Sequence, residues 1–239
     1  MKLSHLTSSV ALTLFVFLIA ACSGGKDIVG SGVLIDDQRA LTSFNEVVLD
    51  ANIDVDIDYG SMQQVNVYGQ GQVLPVISTE VKGEKLTISM SQKAQMDGAT
   101  NIKIMLPELV AVTNTGAGNL RFDGFKGDKL KLMLQGPGNL TGTDLTYDDI
   151  KLTNDGAGNL MLSGNSDDLE ALLDGPGDVD ARRLMVKDAK LTNKGAGNIS
   201  ASVQNDLKAD IKGVGDIIYK GDPKVDLTDD GAGSLKGDN

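Results

Sequence analysis

The chain has 239 residues, with 29 glycines, five phenylalanines, four tyrosines and no tryptophan. So few large side chains exclude a globule with a jigsaw core and favour a thin stacked one. The 22 Lys and Arg stand against 33 Asp and Glu, a net charge of −11, which excludes nucleic acid as a partner, since a polyanion needs a basic face. His5 and Cys22 are the only histidine and cysteine. No internal disulfide can form, and the usual general base and thiol nucleophile are missing from everything downstream of position 22. The expectation is a protein without cofactor.

Residues 1–21 read as a secretory signal: Lys2 and His5, then an apolar run from Val10 into Ala20-Ala21, the n-region, h-region and small-residue pattern of such segments. That run is too short to span the ~30 Å bilayer core as a helix. Leu18-Ile19-Ala20-Ala21-Cys22 resembles a bacterial lipobox, which implies that Cys22 becomes an acylated mature N-terminus. At about 0.8 kcal/mol per buried methylene, two or three acyl chains hold a protein on a membrane. Ser23 after the cysteine, rather than Asp, is similar to the outer-membrane sorting pattern. Cleavage before Cys22 leaves 21 Lys and Arg against 33 Asp and Glu, a net charge of −12.

Residues 22–32 form a Gly-containing flexible tether, and residues 33–109 read as an N-terminal region of short strands. Ile53, Val55 and Ile57 alternate with Asp54, Asp56 and Asp58, the period of a strand with one buried face. Val65 and Val67, then Leu86, Ile88 and Met90, then Ile102, Ile104 and Leu106 repeat it, with glycine turns between. Asp54, Asp56 and Asp58 are a weak Ca²⁺ candidate through their carboxylate oxygens. The reading preferred is a solvated strand face whose charge discourages edge pairing.

Residues 110–239 hold seven Gly-x-Gly units, starting at Gly116, Gly136, Gly156, Gly175, Gly195, Gly213 and Gly231, in steps of 20, 20, 19, 20, 18 and 18. Aliphatic residues stand four after the first glycine, from Leu120 and Leu140 to Leu235, and six and four before it. This describes short strands bent around a glycine corner, each unit able to bury its apolar face only against the next. The predicted fold is all-β, a right-handed parallel β-helix with coils of about 20 residues. Glycine at the corner serves a left-handed or tightly packed backbone. Three after the first glycine runs a polar ladder, Asn119, Asn139, Asn159, Asp178, Asn198 and Asp216, ending at Ser234, whose side-chain amides can bond along the axis. Two before it, Asn114, Asn154 and Asn193 alternate with Leu134, Leu173 and Ile211. That alternation leaves open a coil of about 39 residues holding two unlike corners.

Arg39-Ala-Leu-Thr-Ser-Phe44-Asn-Glu-Val-Val, Ile53-Asp-Val-Asp-Ile-Asp-Tyr-Gly60, Lys85-Leu-Thr-Ile, Leu106-Pro107-Glu-Leu and the Gly-Ala-Gly-Asn repeats together resemble the head GIN domain family, also called putative auto-transporter adhesin head domains. The likeness covers nearly the whole mature chain. It implies a right-handed β-helix exported by bacteria, and it supplies no catalytic residues.

The leading expectation is an outer-membrane lipoprotein of the cell envelope, tied to the membrane by its lipid and binding an envelope protein or glycan. A structural scaffold that self-associates through an open coil end is the second. A β-helical carbohydrate-active enzyme is the third; it would need carboxylates and cations on one face, and Arg182-Arg183 with Asp178 and Asp180 is its best local cluster.

Overall fold

The computed structural model describes residues 28–92, 94–95 and 100–238. Apart from a 3-10 turn at Leu74–Val76, the regular structure among them is β-strand. Glu46–Asp50 and Asp54–Tyr59 form the first turn of a parallel stack. Val47 pairs with Val112 of Ala111–Asn114, and Val55 with Leu120 of Leu120–Asp123. The stack continues through Lys126–Leu134, Leu140–Asn154, Leu160–Leu173, Val179–Asn193, Ile199–Ile211 and Ile217–Lys220 to Lys224–Asp229 and Leu235–Gly237. Neighbours are one Gly-x-Gly unit apart: Leu140 pairs with Leu160, Leu160 with Val179, Val179 with Ile199 and Ile199 with Ile217.

Within Leu140–Asn154 the inward residues are Leu140, Gly142, Leu145, Tyr147, Ile150, Leu152 and Asn154, with two outward residues in a row at 143–144 and 148–149. Strict alternation keeps a strand straight with respect to its buried face, so each doubled outward pair is a bend. Two bends and the glycine corner give a coil of three straight sides. Val179–Asn193 repeats the pattern residue for residue. The middle side, Leu145–Tyr147 or Leu184–Val186, lies outside the two strands expected from the sequence columns. Its residues are irregular because the coils absorb their length differences there. Ala181 pairs with Ala201, but Met185 already pairs with Ser202.

The corner glycines answer a close approach and not a left-handed backbone. A Cβ on Gly138 would lie 2.0 Å from the Gly118 carbonyl oxygen, and one on Gly158 2.0 Å from that of Gly138. The left-handed positions in the stack fall instead at the first bend, at Gly124, Gly164 and Gly221, with Asp144 (φ 52°) taking the same place in its coil.

The inward columns fuse into one aliphatic core from Phe44 to Ile217. At the N-terminal end the core is covered by strands of the other sense. Lys85–Met90 and Asn101–Leu106 lie parallel on the first turn. Ile77–Lys82 pairs antiparallel with the former, Gln64–Gln70 antiparallel with the latter, and Leu34–Gln38 antiparallel with Gln64–Gln70.

Candidate functional site

The corner edge carries the polar ladder, and its bonds run from side chain to backbone. Asn119 Oδ1 accepts the Asn139 N–H (3.2 Å), and Asn139 Oδ1 accepts the Asn159 N–H (2.9 Å). The relay continues through Asn159, Asp178, Asn198 and Asp216 to Ser234. Only an oxygen acceptor is needed, which is why Asn and Asp interchange in this column. Amide-to-side-chain bonds, the expectation from the sequence, occur at its start alone, from Asn139 to Asn119 (2.9 Å) and from Asn119 to Asp54 (3.0 Å). Asp216 also receives a Lys236 ammonium, and the bonds from Lys236 and Ser234 pull its carboxyl down to about 2.

Inside the corner the alternating asparagines are fully buried. Asn154 Oδ1 accepts the Gly156 N–H (3.1 Å), and its Nδ2 donates to the Gly158 carbonyl (3.1 Å) and across to the Asp178 carbonyl of the next coil (3.4 Å). Asn114 and Asn193 repeat this set. A buried amide with its donor and acceptor both used braces its corner without a desolvation penalty.

The side that runs into each corner is flat and carries three outward rows in parallel register, with coils about 4.8 Å apart. At its far edge Asp149, Asp168, Asp188 and Asp206 stack, bounded by Lys129 and Lys224. Burial first, then the Asp149, Asp188 and Asp167 carboxylates, push the Asp168 carboxyl upward. Next comes Lys131, Lys151, Glu170, Lys190 and Lys208. Glu170 takes Lys151 at 2.7 Å and Lys190 at 2.9 Å, and these bonds hold its carboxyl low. The third row is Thr113, Met133, Thr153, Leu172 and Thr192. Neither the acidic nor the Lys row was read from the sequence, although aligning seven and five residues before the first glycine displays both.

At the N-terminal end of this side a groove of about 810 Å³ opens over Leu109, Tyr147 and Ile150, with Lys126 and Lys131 at its rim. The Tyr147 hydroxyl donates to the Leu109 carbonyl (2.7 Å), and burial, then Glu108, drives its pKa well up. Among the described residues Lys126 and Lys131 have no ion pair, whereas Lys129 faces Asp149 at 3.5 Å.

The remaining sequence candidates are dispersed. Asp54 is the foot of the polar ladder, accepting the Asn119 N–H at 2.8 Å, and Asp56 faces Arg121 at 3.6 Å. Among the described residues no group of three or more His, Cys, Asp or Glu is placed to hold a metal ion. Arg182 is clamped on Asp180 by two bonds of 2.9 and 2.6 Å, while Asp178 is occupied in the ladder. Cys22 lies outside the described residues.

Solved structures share the fold. A putative adhesin from Bacteroides fragilis superposes with a TM-score of 0.84 at 24% identity, covering 88% of this chain and 99% of that one. A second, from Parabacteroides distasonis, gives 0.70 at 24% identity over 88% and 99%. A putative lipid binding protein from the same species gives 0.70 at 18% identity over 90% and 100%. No curated sequence matches. The family model described as putative auto-transporter adhesin, head GIN domain, matches residues 43–223. That span runs from the foot of the stack nearly to its last coil, and the chain belongs to this family.

Proposed function

We propose that the protein is a non-catalytic adhesion module of the bacterial cell envelope, held on the outer membrane by a lipid on Cys22. Its flat side takes an anionic glycan or an acidic protein surface. The observation that carries this reading is the Lys row. Lys131, Lys151, Lys190 and Lys208 stand in register on one rigid side, with Glu170 tying its two neighbours in place. Two pairs of in-register lysines flanking Glu170 suit a partner with repeated negative charge, and the adjoining Thr row offers hydroxyls to the same ligand. Membership of an adhesin family supports the reading. So does the state of the carbohydrate-enzyme cluster, in which Arg182 and Asp180 are spent on each other and Asp178 is occupied in the ladder.

The test is binding of the full chain to arrays of acidic and neutral glycans and to envelope proteins. Replacing Lys131, Lys151 and Lys190 together by Glu should lower the affinity by about two orders of magnitude, since each charged contact is worth roughly 1 kcal/mol. Saturable binding that is indifferent to this triple change, or none at all, would remove the flat side from consideration.

A further inference from the structure

At the C-terminal end, among the described residues, strand Lys224–Asp229 pairs only with Ile199–Ile211, and Leu235–Gly237 only with Ile217–Lys220. Val225 and Leu227 occupy the inward columns yet are 37% and 45% exposed, where Leu207 and Ala209 of the same columns are each 1% exposed. The last coil thus presents an apolar interior and a free strand edge together. A stack built by coil-on-coil pairing ends there on a surface made for one more coil.

The edge strand is complementary to itself. In an antiparallel pair, residues directly opposite share a face of the sheet. An axis through Leu227 therefore sets inward Val225 opposite inward Asp229, and outward Asp226 opposite Thr228. It also sets Lys224 opposite Asp230, twice by symmetry. Moving the axis to Asp226 lays that carboxylate on its own copy. Moving it to Thr228 lays Asp226 on Asp230, and moving it to Val225 brings Pro223, which has no N–H to donate, into the ladder. Lys224 has no ion pair or side-chain hydrogen bond among the described residues, so its charge is available to a partner.

We infer that two copies of this chain join tail to tail, strand Lys224–Asp229 pairing antiparallel with itself about a two-fold axis at Leu227. The interface is isologous and closes at two copies, because the two-fold axis pairs the same Lys224–Asp229 edge of each. The axis is normal to the flat side, so the flat sides of the two copies lie in one plane and present a binding surface of doubled length. The two N-terminal ends lie at opposite tips. This assembly goes beyond the adhesion reading and stands without it.

The experiment uses the full chain carrying Cys22→Ala, purified in detergent, with mass measured by light scattering over a range of concentrations. The expected result is a dimer that Leu227→Lys converts to monomer. Lys224→Asp or Asp230→Lys alone should raise the dissociation constant about tenfold by setting like charges opposite, and the double exchange should restore it. These positions are exposed, so circular dichroism should show the same strand content in all four proteins. In the same background Leu227→Cys holds the only thiol and should oxidise to a disulfide-linked pair, while Met133→Cys, on the flat side far from the edge, should not. A wild-type chain that stays monomeric throughout, or a dimer insensitive to the charge exchange and lacking the Leu227→Cys link, would overturn the inference.

Discussion

At its N-terminal end the stack is closed by strands that run against it, whereas at Lys224–Gly237 the final coil has a neighbour on one side alone among the described residues. The core residues Val47, Val55, Leu86 and Ile102 are at most 1% exposed, although they belong to the outermost parallel layers at their end. Antiparallel hairpins, a 3-10 turn and Arg39, whose guanidinium reaches the Leu74 carbonyl (3.2 Å), cover them. Among the described residues nothing comparable lies over Val225 and Leu227. The contrast teaches that coil stacking satisfies the interior by repetition, and that an end needs chain of a different kind or a partner. It also implies a gradient of stability, because an interior coil is held from both sides and the last from one.

Glycine corners give the largest test of that gradient. A Cβ at Gly177 would sit 1.9 Å from the Gly158 carbonyl oxygen, and one at Gly233 2.0 Å from that of Gly215, so the local clash is equal. Gly177→Ala must separate coils pinned above and below and should cost about 3 kcal/mol. Gly233→Ala lets the last coil shift away and should cost about 1 kcal/mol or less. Equal losses in denaturant unfolding would break the comparison. The buried asparagines come next. Asn154→Ala strands the Gly158 carbonyl, while the Asp178 carbonyl keeps the Leu160 N–H, and should cost about 2 kcal/mol. Asp229 holds the same column at the open end with a single 3.3 Å bond to the Gly231 N–H, so Asp229→Ala should shift the midpoint little.

The corners and the inward parts that repeat were legible from the residues, and the parts that happen once were not. The corner glycines and the inward columns recur at a fixed offset because each coil must present the same shape to the next. Outward rows are under no such demand. The stack Asp149, Asp168, Asp188 and Asp206 keeps a fixed offset of seven before the first glycine, but the same column holds Lys129 and Lys224 at its two ends and so carries no single residue type. The closing layer has no period at all. It is inserted after a first corner, Ala51–Ile53, that lacks glycine, and this separates Asp54 from the ladder it begins. Aligning Ala51 with Gly116 recovers that unit, with Val47, Leu49 and Val55 in the inward columns and Asp54 in the polar one. The acidic alternation at Asp54, Asp56 and Asp58 read as a solvated face, but its first member is the foot of the relay that runs along the whole corner edge.

The acidic row offers the smallest effect and the finest discrimination between the middle of the stack and its ends. Asp168 has aspartates on both sides, while Asp206, one coil from the open end, faces Lys224. Because the fold raises the Asp168 pKa above its ordinary 3.8, ionisation of this carboxyl opposes folding. The cost is complete above the folded pKa, shrinks as pH falls through it, and is gone below the unfolded value. Asp168→Asn should therefore raise the melting temperature at pH 7 by about 1 °C, the scale of a solvent-screened surface charge, and change nothing at pH 3. Asp216 has the opposite sign. Its carboxyl is held down to about 2, so its contribution is present above 3.8 and lost as pH falls toward 2. Asp216→Asn should lower the melting temperature at pH 7 and leave it unchanged near pH 2. Melting curves of the two variants across pH 2 to 7 should thus separate in opposite directions as pH rises. Curves that move together would mean that net charge, and not the position of each carboxylate in its row, sets the response.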